Sequence, residues 1–194
     1  MASRADELLR QILANPDDLA LRAVYADALQ ADGDPRGEFI ALELAADPAH
    51  ASRRASLLGA HAATWWPGLA RHHIATRAGF LERVAGDAGD LAVARAVFAR
   101  EPVRDIELVD AHADTIPLVE PAWQARAIRF TARGFLQNAV FKVCASPLGD
   151  QLVALDVASC HLDRDIVPLG DTLPACRSLS LAANFYLGRH LPHS

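Results

Sequence analysis

The sequence predicts an α/β protein in which an N-terminal helical module caps a short, irregular solenoid of strand-plus-helix units. Three observations predict it. Helix-type apolar spacing, punctuated by capping residues before prolines, fills the first third of the 194 residues. The texture then changes at Arg77. Beyond it, four short segments share one apolar skeleton: Val103-Arg-Asp-Ile106-Glu-Leu108, Ala125-Arg-Ala-Ile128-Arg-Phe130, Leu152-Val-Ala-Leu155-Asp-Val157 and Cys176-Arg-Ser-Leu179-Ser-Leu181. Each is apolar at positions one, four and six and polar at position five (Glu107, Arg129, Asp156, Ser180). Their starts lie 22, 27 and 24 residues apart. That interval suits stacked units too small to bury their own apolar faces, so that neighbours supply the core.

The helical region covers residues 3 to 66. Asn15-Pro16, Asp34-Pro35 and Asp47-Pro48 each set a capping side chain before a proline, which marks three helix starts. Asp17 and Asp18 fall in the first turn of the second helix, where carboxylates favour the positive end of the helix dipole. The first helix offers Leu8, Leu9, Ile12 and Leu13. In the second, Leu21, Val24, Tyr25, Ala28 and Leu29 follow the spacing of one buried face. Asp32-Gly33-Asp34 makes the following turn, the third helix presents Phe39, Ile40 and Leu44, and a fourth runs from Pro48 to about His61. Trp65-Trp66-Pro67 ends the region.

From Gly79 to Val84 the chain reads as a strand, and from Asp90 to Arg100 as a helix carrying Leu91, Ala94, Val97 and Phe98. Leu81 precedes Val103 by 22 residues, which makes this stretch an atypical first unit. The expected organisation is a helical module at 1–76 and a solenoid at 77–194, with the atypical unit at 77–102. No low-complexity linker separates them.

Composition narrows the function classes. With 52% apolar residues the chain can fill a sizeable core. Its 19 basic and 24 acidic residues, net −5, contain no block of like charge, which argues against nucleic acid. The N-terminus has no continuous apolar stretch of signal-peptide type, and no run of about eighteen apolar residues would cross a bilayer. Three cysteines, Cys144, Cys160 and Cys176, fit free thiols in a reducing compartment. The expected location is cytoplasmic.

The skeleton L-x-x-L-x-L, with Asn or Cys at position nine, resembles the leucine-rich repeat. Position nine holds Ala111, Arg133, Cys160 and Asn184, so only the last two units match there. Position eleven is apolar or aromatic in the last three, with Phe135, Leu162 and Tyr186. A second resemblance covers roughly residues 6 to 44. Glu7-Leu-Leu-Arg-Gln-Ile12, Asn15-Pro-Asp-Asp18, Val24-Tyr-Ala-Asp-Ala-Leu29 and Gly33-Asp-Pro-Arg-Gly-Glu-Phe39 are similar to the bacterial repeat-companion domain. That family carries a helical N-terminal module, commonly ahead of leucine-rich repeats. Ala28 stands where the family often has tryptophan. The resemblance implies a helical cap on repeats and no established catalytic activity. A cap of this kind would cover the apolar face of the first repeat. Asp27, Arg36 and Glu38 are expected to tie the helices together by charge-assisted hydrogen bonds, with Tyr25 in the core.

Chemistry has little foothold. His72 and His73 are adjacent, with His61 eleven residues earlier, but without metal-ligand spacing. Aligning Gly33 with the glycine of a calcium loop puts Ala28 and Phe39 at ligand positions, which excludes that mechanism. Cys160 and Cys176 take repeat positions that are normally buried, and His161 would face away from Cys160 on a strand. No nucleophile elbow, P-loop or dinucleotide fingerprint appears. No cofactor is expected.

The strand face remains. Position two gives Arg104, Arg126, Val153 and Arg177; position five gives Glu107, Arg129, Asp156 and Ser180. These residues, Val153 aside, are the expected binding surface for a protein or peptide, since the guanidinium fork suits carboxylates. The plain alternative is a solvated charged face, the default on an exposed sheet. The expected function is therefore noncatalytic protein interaction. Two other readings stand beside it: a metal-dependent hydrolase built from His61, His72, His73, Asp87 and Asp90, and self-association through Phe185, Tyr186 and Leu187 at an uncapped last repeat, giving a homodimer.

Overall fold

A computed structural model describes residues 3–69, 73–87, 95–109, 129–133, 137–145, 149–150, 152–158, 162 and 173–181. Helices and short strands are mixed, an α/β composition. The chain divides into two compact units, Met1–Glu82 with Ala96–Pro102 and Arg83–Arg95 with Val103–Ser194. The uncapped-edge residues Phe185, Tyr186 and Leu187 lie outside the described residues.

Capping chemistry sets the helices of the first unit. Helix α1 (Arg4–Ala14) begins at a capping box: Ser3 Oγ accepts from the Asp6 amide, and the Asp6 carboxylate accepts from the Ser3 amide. The start expected at Pro16 is instead a turn, with the Asp18 amide donating to the Asn15 carbonyl at 3.1 Å. Helix α2 (Leu19–Ala31) is capped by Asp18, whose carboxylate accepts from Leu21 N at 2.9 Å. It stops at Gly33, whose φ of +75° is the left-handed conformation that glycine adopts at no steric cost. Asp34 caps α3 (Pro35–Ala45) through Arg36 N at 2.8 Å, with Pro35 inside the first turn. Asp47 caps a single 3-10 turn, Pro48–His50, that leads into α4 (Ala51–Trp65), which starts three residues later and ends four residues later than the spacing predicts.

The buried face of α2 is Arg22, Tyr25, Ala26 and Leu29, a series at i, i+3, i+4 and i+7. Val24, expected inside, is 42% exposed, because the face is rotated to take in Arg22. Leu8, Leu9 and Ile12 of α1 join Tyr25, Leu29, Ile40 and Phe80 in one core cluster. Phe39 packs on Trp65 and Trp66, with ring centroids 5.3 and 6.4 Å apart. Each such fully buried side chain contributes about 1.5–3 kcal/mol of transfer free energy. Close approach of α2 and α3 needs Gly37, where a Cβ would stand 2.6 Å from the Ala26 carbonyl oxygen.

Strand β1 (His73–Arg77), absent from the sequence reading, turns into β2 (Phe80–Asp87) through Ala78 and Gly79, both at positive φ. A two-residue turn with both residues left-handed matches the twist of a hairpin. The short helix α5 (Arg95–Phe98) buries Val97 and Phe98.

In the second unit the part of β2 from Arg83 on, β3 (Asp105–Val109), β4 (Arg129–Arg133), β5 (Ala154–Asp156) and β6 (Ser178–Ser180) lie side by side in chain order. Every pair is parallel, with Val84 opposite Ile106, Ile106 opposite Phe130, Phe130 opposite Leu155 and Leu155 opposite Leu179. Helix α6 (Gln137–Cys144) is the other described element, with Val140 and Cys144 buried. Among the described residues no helix is long and apolar enough to cross a membrane.

Candidate functional site

The pairing of the strands corrects the phase of one segment. Ile106, Leu155 and Leu179 are fourth-position residues, but the residue paired with them on β4 is Phe130, which the apolar skeleton puts at position six. The second segment therefore starts at Ala127 rather than Ala125. Residues equivalent by pairing, Val84, Ile106, Phe130, Leu155 and Leu179, recur at intervals of 22, 24, 25 and 24. Ala127, Phe130 and Ala132 satisfy the apolar skeleton as well as Ala125, Ile128 and Phe130 do, so the pattern alone does not choose between the two phases.

The correction moves one of the expected site residues. Arg129 leaves position five for position three, opposite Asp105. Arg126 lies outside the described residues. Position five becomes Glu107, Thr131, Asp156 and Ser180, four half-buried residues on four neighbouring strands. Arg104 is half-buried and Arg177 exposed.

The polar face is internally bonded at one end. Arg83 Nη2 donates to Glu107 Oε2 at 2.6 Å, and Arg83 Nε lies 3.9 Å from Asp105 Oδ2. The Glu107 hydrogen bond, and then the Asp105 charge, raise the Arg83 guanidinium above its ordinary pKa. Further along, Asp156 turns one carboxylate oxygen to the Ala158 amide at 3.0 Å. Beside it Ala154, Ser178 and Ser180 leave the surface low, with Val153, the residue at position two, 38% exposed.

A second charged group, in the first unit, was hidden from sequence reasoning. Arg22 and Glu101 are 3% and 1% exposed, and Arg36 is 8% exposed. Arg22 donates to the backbone carbonyls of Arg77 and Pro16, both at 2.5 Å. Arg36 Nη2 donates to Glu101 Oε1 at 2.6 Å, and Glu101 Oε2 accepts from Leu81 N at 2.9 Å. Both guanidiniums lie over the Phe80 ring, at 4.9 and 5.0 Å from its centre. Arg36 thus ties α3 to Glu101, three residues beyond α5, not to a neighbouring helix. Glu38 does join helices, taking both oxygens to Arg53 of α4 at 2.6 Å, whereas Asp27 is exposed. Arg22 carried a signal in its spacing to Tyr25, Ala26 and Leu29; Glu101 carried none.

Other expectations resolve individually. Burial pushes the Cys144 thiol up to about 12, with the nearby Cys176 adding to the shift; Cys160 lies outside the described residues. His61 stacks on Trp65, with centroids 5.4 Å apart. His72 and Asp90 lie outside the described residues, while His73 is on β1 and Asp87 on β2. Among the described residues no three metal-ligating side chains come together. In comparisons with known proteins, no family model, no curated protein and no solved structure matches the chain.

Proposed function

We propose that the chain is a noncatalytic interaction module: a helical module of the repeat-companion kind with a short, irregular leucine-rich-repeat-like solenoid that takes a protein or peptide partner on its strand face. One observation carries the reading. Five strands, each parallel to the next, bring equivalent apolar residues opposite one another at a near-constant interval, which is how stacked units share a core. The same pairing aligns short acceptors, Glu107, Thr131, Asp156 and Ser180, at the strand spacing of about 4.8 Å. A row of carboxylates and hydroxyls at that spacing suits hydrogen-bond donors of an extended segment.

The test uses exposed positions, so that stability and recognition separate. Arg177→Glu with Ser178→Arg changes charge and height where both residues are exposed. Capture of the partner from the native cell is expected to fall at least ten-fold, about 1.4 kcal/mol, with an unchanged melting curve. Arg10→Gln on α1 serves as the control. Undiminished capture by the double variant removes the strand face from consideration.

A further inference from the structure

The first unit holds a cavity of ≈ 340 Å³, within the range of small-molecule sites. Leu29 and Val97, both buried, and the half-buried Trp65 give it apolar surface. Three carboxylates, Asp6, Asp34 and Glu101, stand in its lining against two guanidiniums, Arg36 and Arg100, an excess of one negative charge.

Pairing decides where that excess lies. Glu101 is neutralised by Arg36 at 2.6 Å, and its other oxygen accepts from Leu81 N at 2.9 Å. Asp6 is exposed and closes the capping box with Ser3; those hydrogen bonds, and then the charges of Arg100 and Arg10, hold its carboxyl below the ordinary range. Asp34 has no such counter-ion. It is half-buried, its Oδ1 accepts from Arg36 N at 2.8 Å, and among the described residues it has no ion pair and its Oδ2 receives no hydrogen bond. The helix dipole of α3 offsets only part of a full charge.

A second, independent feature lines the same cavity. Tyr25 is 4% exposed, yet its hydroxyl has no hydrogen bond among the described residues. That oxygen is not closed to solvent, as the unpartnered Nε atoms of Arg22 and Arg36 are. Burial raises the hydroxyl above its ordinary pKa; of the nearby charges Arg36 and Arg100 oppose the rise, whereas Glu101 and Asp34 add to it. Asp34 is thus within electrostatic reach of the Tyr25 oxygen.

We propose that this cavity binds a small organic monocation, a primary ammonium on an apolar body. The ammonium donates to Asp34 Oδ2 and to the Tyr25 hydroxyl oxygen. Such a group carries three donors and no acceptor, the complement of a carboxylate oxygen and a phenol oxygen that both lack donors. The apolar body lies against Leu29, Val97 and Trp65. The site belongs to the first unit alone, so this proposal and the one for the strand face can fail separately.

Titration of the full chain at neutral pH with 3-phenylpropylamine, beside 3-phenylpropanol and methylammonium, tests it by saturation-transfer NMR and tryptophan fluorescence. The amine is expected to bind saturably, with an affinity about ten-fold or more above that of either comparator, because the alcohol lacks the charge and methylammonium the ring. Asp34→Asn is expected to weaken the amine by about ten-fold or more and to leave the alcohol unchanged. The melting temperature is expected to hold in that variant, since asparagine caps a helix as well as aspartate does. Tyr25→Phe is expected to weaken the amine by about five-fold, the loss of one hydrogen bond. Equal affinity for amine and alcohol, full affinity for the amine in either variant, or no saturable binding of the amine each overturns the proposal.

Discussion

Removing the Glu101 side chain is expected to be the most damaging single change in the first unit. Glu101 is 1% exposed and holds two donors: the Arg36 guanidinium at 2.6 Å and the Leu81 amide at 2.9 Å. Glu101→Ala leaves a buried cation without its counter-ion, a loss of about 3–5 kcal/mol. It also orphans a buried backbone N–H, which costs a further ~1–3 kcal/mol. Against a typical stability of about 5–15 kcal/mol, that is enough to unfold a marginal unit. Glu101→Gln is the discriminating variant. Its carbonyl can satisfy one donor, but its NH₂ then faces the other, so the loss stays near the lower end of the range. Adding Arg36→Met removes the guanidinium along with the need for a counter-charge, and stability is expected to recover relative to Glu101→Gln alone. Urea melts followed by tryptophan fluorescence, which reports Trp65 and Trp66, give the three free energies. Additive losses in the double variant would refute the argument that the penalty lies in an uncompensated buried charge.

Two further outcomes follow from the same unit. Gly37→Ala gains about 1 kcal/mol of helix propensity but places its methyl 2.6 Å from the Ala26 oxygen and 2.7 Å from the Gln30 nitrogen, so a net loss of about 1–3 kcal/mol is expected in the same melts. Burial raises the Tyr25 hydroxyl above its ordinary pKa, a rise that Arg36 and Arg100 oppose. The unfolded chain then ionises first, so this contribution is intact below pH 10 and is lost as pH rises toward the folded value. The urea midpoint is expected to fall more steeply above pH 10 in the parent than in Tyr25→Phe, and parallel profiles would count against it.

What the sequence made legible was local. Asp34 and Asp47 cap as expected because a side-chain oxygen two residues from a free amide needs no tertiary context. Asn15 and Asp18 both qualify as caps, and the choice between them was made by Arg22, which holds the Pro16 carbonyl at 2.5 Å. The hairpin at Ala78 and Gly79 lacks the Asn-Gly signature, since alanine rarely accepts a φ of 47°. The Arg36 to Glu101 pair spans 65 residues, and no periodicity encodes such a distance. Val24 was misplaced because an arginine on an apolar face counts against that face, although here Arg22 is buried and bonded to backbone.

The phase of the second segment shows why strand pairing matters more to the binding surface than the count of matching segments. Read two residues early, Arg104, Arg126 and Arg177 form a basic column suited to carboxylates. Paired as β3 and β4 are, Arg129 stands opposite Asp105, and Asp105 opposite Arg83. Arg83 and Asp105, opposite one another on neighbouring strands, carry opposite charge at the third position, an arrangement that favours strand pairing over capture of an external anion. A partner seated on this face, as proposed, would meet the lowest relief at the end where Ala154, Ser178 and Ser180 stand beside Asp156 and Arg177. Shape and hydrogen bonding at that end, rather than a long basic stripe, would then set its specificity.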